Sequence, residues 1–97
     1  MAAYVMLANF TEQGIRDVKD TVKRAEAFKE TAKAAGVTIN DVYWTLGEYD
    51  IVVTAEAHNE MAVTALGLTL AKAGNVRTQT LRAFPAKEMS EILGKVK

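Results

Sequence analysis

The 97-residue sequence has no cysteine, one proline and one histidine, and its twelve basic side chains are matched by twelve acidic ones. Without cysteine there is no disulfide framework, no thiol chemistry and no cysteine zinc site, and the composition fits a reducing cytosol. Balanced charge with no Lys/Arg cluster argues against nucleic acid, because phosphate contacts need a concentrated basic excess. His58 stands alone, without the spacing of a metal motif, so no metal site is expected. No stretch approaches eighteen uninterrupted apolar residues, and MAAYVMLANF lacks a basic leader and a cleavage site. A cytoplasmic protein with no membrane partner is expected. Gly14 does not open a glycine-rich loop, and Gly74-Asn75 ends a helix instead of starting one, so phosphate cradles fail. No Ser-His-Asp set has motif context, and no cofactor is expected.

What is present is an apolar chain, 49% by residue count, organised as one domain over residues 1–97. A domain of this length buries roughly 65% of its unfolded surface, so its core is thin. Ala3 to Asn9 is apolar at six of seven positions, the pattern of a strand covered on both faces. Thr11 to Ala35 carries Ile15, Val18, Val22, Ala25, Phe28 and Ala32 at helical spacing, with Thr11 as N-cap, Gly36 as the left-handed stop, and Glu12–Arg16 and Asp20–Arg24 as pairs on the wet side. Asp20-Thr21 in mid-stretch compete for backbone hydrogen bonds and leave room for a kink, but the segment is read as one helix. Val37 to Leu46 reads as a strand with a bulge at Asn40-Asp41, Gly47 to Asp50 as a turn, and Ile51 to Glu56 as the returning strand. A second helix starts at His58 or Asn59, carries Met61, Ala65, Leu68 and Ala71, and stops at Gly74-Asn75. Val76 to Phe84 is the fourth strand, ended by Pro85. Ala86 to Val96 is a short helix with Met89, Ile92, Leu93 and Val96 on one face.

The order βαββαβ followed by α is the split βαβ arrangement of the ferredoxin-like class. Right-handed crossovers put both main helices on one face of a four-stranded antiparallel sheet, with the first and third strands central. The other face is then bare. Yet the central strands are apolar on both faces, Tyr4, Met6 and Ala8 alternating with Ala3, Val5 and Leu7. A second copy packed sheet to sheet is the economical cover, so a homodimer or higher homo-oligomer is expected.

Three separated blocks are similar to the GYD domain family: Asn9 to Ile15, Val42 to Val53 with its Gly47-Glu48-Tyr49-Asp50 turn, and Gly74 to Phe84. The resemblance spans essentially the whole chain. Members of that family often carry proline at the position of Val22, and valine there favours a continuous helix in this chain. The resemblance implies a ferredoxin-like α+β fold of the dimeric α/β-barrel type, and it brings no particular reaction with it.

Six residues are candidates for ligand contact. Tyr49 and Asp50 set a phenol beside a carboxylate, able to orient a small molecule or share a proton. The favoured alternative is that Asp50 bonds turn amides while Tyr49 packs on the strand ends. Trp44 lines a cavity or, more commonly for a large aromatic, fills the core. Arg77 and Arg82 offer an anion site or, as favoured, polar protection of an edge strand, with Arg77 and Gln79 on one face and Thr78, Thr80 and Arg82 on the other. Asn9 reaches a ligand or caps the helix entry, and the cap is favoured. These patterns favour a small-molecule-binding or assembly domain. The alternative is a cofactor-independent enzyme, monooxygenase- or isomerase-like, acting on a small organic molecule near the Tyr49-Asp50 turn. That alternative rests on fold analogy alone.

Overall fold

A computed structural model describes all 97 residues. The elements are β1 (Ala2–Phe10), α1 (Glu12–Arg16), a 3-10 turn (Val18–Asp20), α2 (Thr21–Ala34), β2 (Val37–Trp44), β3 (Ile51–Ala57), α3 (Glu60–Ala73), β4 (Val76–Ala83) and α4 (Ala86–Leu93). The strands form one antiparallel sheet in the order β2-β3-β1-β4, so β1 and β3 are central as expected. This is the ferredoxin-like α+β arrangement. The expected bulge is present, as a register shift between Ile39 and Asp41. No helix is long and apolar enough to cross a membrane.

The two faces of the sheet differ. Tyr4, Met6 and Ala8 of β1 and Val53, Ala55 and Ala57 of β3 are buried on the helix side. There Tyr4, Ala55 and Ala57 pack with Ala32 of α2, Val37 of β2, and Val63 and Leu66 of α3. On the opposite side Val5 pairs with Thr54 and Leu81, and Leu7 with Val52 and Gln79. Val5, Leu7, Val52 and Thr54 are only half-buried, and nothing in the chain covers them. Helix α2 packs over β2 and α3 over β4, one above each edge.

The long first helix is broken. α1 ends at Arg16, and α2 starts afresh at Thr21. The Asp20 amide donates to Asp17 O at 3.0 Å, tightening the connection into a 3-10 turn. Arg24 donates from Nη1 to Asp17 O (2.7 Å) and from Nη2 to Gly14 O (3.3 Å), satisfying carbonyls at the end of α1. It therefore turns inward and does not pair with Asp20, and neither expected i,i+4 ion pair forms in this stretch. Asp17 and Asp20, which compete for backbone bonds inside helices, sit at helix ends even though position 22 is valine. Ile15 and Val22 are consequently more than half exposed.

The inward stripe of α3 is also shifted from the expected one. Val63 and Leu66 are buried, whereas Met61 is 77% and Leu68 67% exposed. The helix is apolar around most of its circumference, so spacing alone offers two stripes, and contact with β4 and β3 selects one. Its ends are as read: the Asn59 side chain accepts from Met61 N at 2.7 Å, and Gly74 takes φ 86°. Helix α4 keeps Met89 and Leu93 substantially exposed.

Candidate functional site

One end of the sheet is tied together by backbone and polar side chains from three parts of the chain. Asp50 N donates to Ala8 O (2.9 Å), and the Asp50 carboxylate accepts from Phe10 N through Oδ2 (2.9 Å). Thr45 N donates to Asp50 O (2.8 Å), and the Thr45 hydroxyl donates to Tyr49 O (2.5 Å), closing the hairpin loop. Thr11 caps α1 by accepting from Gly14 N (3.1 Å), while its hydroxyl donates to Gly74 O (2.6 Å) and its amide to Asn75 O (3.1 Å). Gln13 Nε2 donates to Asn75 Oδ1 (2.9 Å) and Ala73 O (3.2 Å). A Cβ on Gly14 would lie 1.9 Å from Asn75 O, so no larger residue fits beneath this strand end. The three blocks singled out in the sequence are thus the three parts of one joint.

Around this joint the six candidate residues separate. Asn9, Tyr49 and Arg77 come together on the open sheet face, where the pairing of Asn9 with Arg77 and of Leu7 with Gln79 sets them side by side. With Glu48 and Gln79 they line a shallow depression of about 280 Å³. The Tyr49 hydroxyl donates to Gln79 Oε1 (3.3 Å). Asn9 does not cap α1, since Thr11 does. Asp50 is not among the lining residues, and its Oδ2 is committed to Phe10 N.

Trp44 and Arg82 lie elsewhere. Trp44 Nε1 donates to Thr21 Oγ1 (3.0 Å), tying the end of β2 to the start of α2 at an exposed edge of the helix layer. Arg82 is on the opposite face of β4 from Arg77, because five residues of strand reverse the side-chain direction. Its guanidinium lies 4.4 Å over the Phe84 ring and 5.7 Å over that of Tyr4, and it donates to Ala3 O (3.3 Å), to Ala83 O and to Glu88 Oε2 (3.1 Å). The two arginines cannot close on one anion. Nowhere do three His, Asp or Glu side chains gather in metal-ligand geometry.

A larger cavity lies on the helix side, outside the residues singled out by pattern. It is a half-open space of about 300 Å³ between α2 and α3, floored by Met6, Ala8 and Val53 and walled by Phe28, Leu66 and Leu70. The helices close over Ala32, Val63 and Leu66 at one end of the sheet and leave a gap at the other, where small side chains such as Ala25 and Ala73 do not fill it. A closed void of that size would cost about 7 kcal/mol at roughly 24 cal/mol per Å³, a large share of any small domain's stability. The only sequence signal for it was Arg24 beside the alanine-rich stripe of α2.

The GYD domain model matches residues 4–93. The chain belongs to the GYD family. It is 32% identical over 90 residues to a protein of Thermus thermophilus named glutamine synthetase and cystathionine beta-lyase binding protein, covering 92% of this chain and 95% of that one. The Gly47-Glu48-Tyr49-Asp50 turn is the loop in which Asp50 anchors β1, which gives it an architectural job in this chain.

Proposed function

We propose that this GYD domain is a protein-binding module that acts as a homo-oligomer, paired through its open sheet face, and that its further partner is a cytosolic metabolic enzyme. The observation that carries the reading is surplus surface. The chain exposes 6726 Å², whereas a monomer of 10.6 kDa exposes about 5,500 Å² by area scaling. Roughly 1,200 Å² in excess is of the order that each partner contributes to a stable interface, for which about 800 Å² per side is standard. The radius of gyration, 14.6 Å, likewise exceeds the roughly 12.5 Å of a compact domain this long.

The open face has the make-up of an interface. Val5, Leu7, Val52 and Leu81 form its centre, and Asp41, Glu56, Arg77 and Gln79 its polar rim. Because one patch serves both copies, a two-fold pairing is the natural geometry. The enzyme partner is suggested by the name of the Thermus relative. Sheet pairing leaves α4 with Phe84 free, an apolar surface able to hold such a partner. The catalytic alternative is less well supported, because the Asp50 carboxylate is occupied by Phe10 N and the Tyr49 hydroxyl by Gln79.

Light scattering at micromolar concentration tests self-association, and a strictly monomeric protein would overturn that half of the proposal. Calorimetric titration with glutamine synthetase from the same organism tests the other half. Saturable binding is expected, and its absence with both that enzyme and cystathionine beta-lyase would overturn the partner class.

A further inference from the structure

We propose that the cavity between α2 and α3 is a binding site for a small organic acid with an apolar body, its anionic end received by Arg24. The inference is independent of the protein-binding reading, because the cavity opens on the helix side and sheet pairing would leave it accessible. Size sets the first limit: about 300 Å³ holds about ten non-hydrogen atoms at the volume of a water each. Lining sets the second. Thirteen of the nineteen lining residues are hydrophobic, so the body of the occupant is apolar.

Charge sets the third. Arg24 is the one charged side chain among those nineteen, and no carboxylate lines the cavity. Asp17, just before the 3-10 turn, and Asp20, at its end, are exposed and lie outside the lining. The guanidinium is held in place by Asp17 O and Gly14 O, which uses two of its five N–H donors and leaves the others for a ligand. Of the uncharged polar residues of the lining, Asn75 has its Oδ1 taken by Gln13 Nε2, and Thr78 adds one hydroxyl on the sheet side. Thr31 and Thr69 donate their hydroxyls back to Ala27 O and Ala65 O within their helices. Thr21 already accepts from Trp44 Nε1 and so has its own hydrogen to offer. A fixed cation and a spare hydroxyl donor above an apolar floor match an occupant with acceptors at one end only. A carboxylate does that, whereas an amino acid would bring an ammonium group that finds no carboxylate here.

Methyl NMR of the full chain with phenylacetate, using 2-phenylethanol as the uncharged counterpart, tests the proposal. Saturable shifts are expected at the methyl groups of Met6, Ala8, Leu66 and Leu70, with the alcohol binding about tenfold more weakly. Ala25→Leu, which fills the cavity from α2, should abolish the shifts. Arg24→Met should bring the acid down to the affinity of the alcohol. Should Arg24→Met not fold, Ala25→Leu still decides whether the cavity is the site, and the acid-to-alcohol ratio still decides the charge preference. Four results would each overturn the proposal: no saturation in folded protein, binding unchanged by Ala25→Leu, equal affinity for acid and alcohol, or Overhauser contacts placing α4 of a second copy in the cavity.

Discussion

Replacing Asp50 by alanine separates an architectural turn from a ligand-binding one. Asp50 Oδ2 accepts the Phe10 amide across forty residues of sequence, where β1 leaves the sheet for α1. A hydrogen bond to a charged group contributes about 1.5–3 kcal/mol. Phe10 and Asp50 are both half-buried, which puts the value near the lower end, about 1.5–2 kcal/mol, because water partly replaces the lost acceptor. For a domain of this length about 4–5 °C of melting temperature corresponds to each kcal/mol, so Asp50→Ala should melt about 6–10 °C lower. Asp50→Asn keeps an acceptor oxygen and loses the charge, and should cost about half as much. Urea denaturation, with unchanged slope and a lowered midpoint, is the assay. Amide exchange should show Phe10 N deprotected while the core strands keep their ranking. A melting point within a degree of the parent, or an asparagine variant as unstable as the alanine one, would refute the reasoning.

Two glycines should respond in opposite directions to alanine. Gly14→Ala drives a Cβ against the Asn75 carbonyl and should cost about 3 kcal/mol or more in urea midpoint analysis, since backbone must move and the Thr11–Asn75 bond is strained. Gly67→Ala in α3 meets only Thr78 Oγ1, at 3.9 Å, and should raise stability by about 0.5–1 kcal/mol in the same assay. Leu7→Lys sets a charge at the centre of the open face, and light scattering should show monomers whose circular dichroism is unaltered. Arg82→Met keeps an unbranched apolar stem but removes the guanidinium from over Tyr4 and Phe84, together with its bonds to Ala3 O, Ala83 O and Glu88. It should cost about 1 kcal/mol, discounted for partial exposure, and hydrogen exchange should show α4 fraying first.

The strands were legible because their signals are local. β1 is apolar at successive positions, the bulge is marked by Asn40-Asp41, and Gly74 at φ 86° stops α3 where a glycine stop was read. Crossover handedness then supplied the strand order without any measured contact. The helices were less legible. Ile15, Val18 and Val22 continue the spacing of α2, yet the chain bends at Asp17–Asp20 and turns them outward. The reason is distant: Gly14 is pinned against Asn75, and Arg24 binds the carbonyls left at the end of α1. On α3 the stripe of Met61 and Leu68 competes with that of Val63 and Leu66, and only docking on the sheet decides between them. The cavity was the least legible feature, because it comes from the divergence of two helices and from side chains too small to fill the gap.

The burial pattern ties the proposed association to the folding of this chain. Eleven of 97 residues are buried, and among them only Tyr4, Met6 and Leu66 are larger than valine. Much of the apolar content therefore lies at intermediate depth: Val5, Leu7 and Val52 on one face of the sheet, and Phe10, Phe28 and Leu70 around the cavity on the other. Each set gains at about 25 cal/mol per Å² only when something covers it. A second copy can cover the first and a small apolar acid the second, without competing, because the sheet itself separates them. The joint of Thr11, Gly14, Asp50 and Asn75 fixes where β1 leaves the sheet, and so holds both the Asn9–Arg77 corner of the open face and the floor of the cavity. One strand thus serves both surfaces, because the side chains of β1 alternate between them.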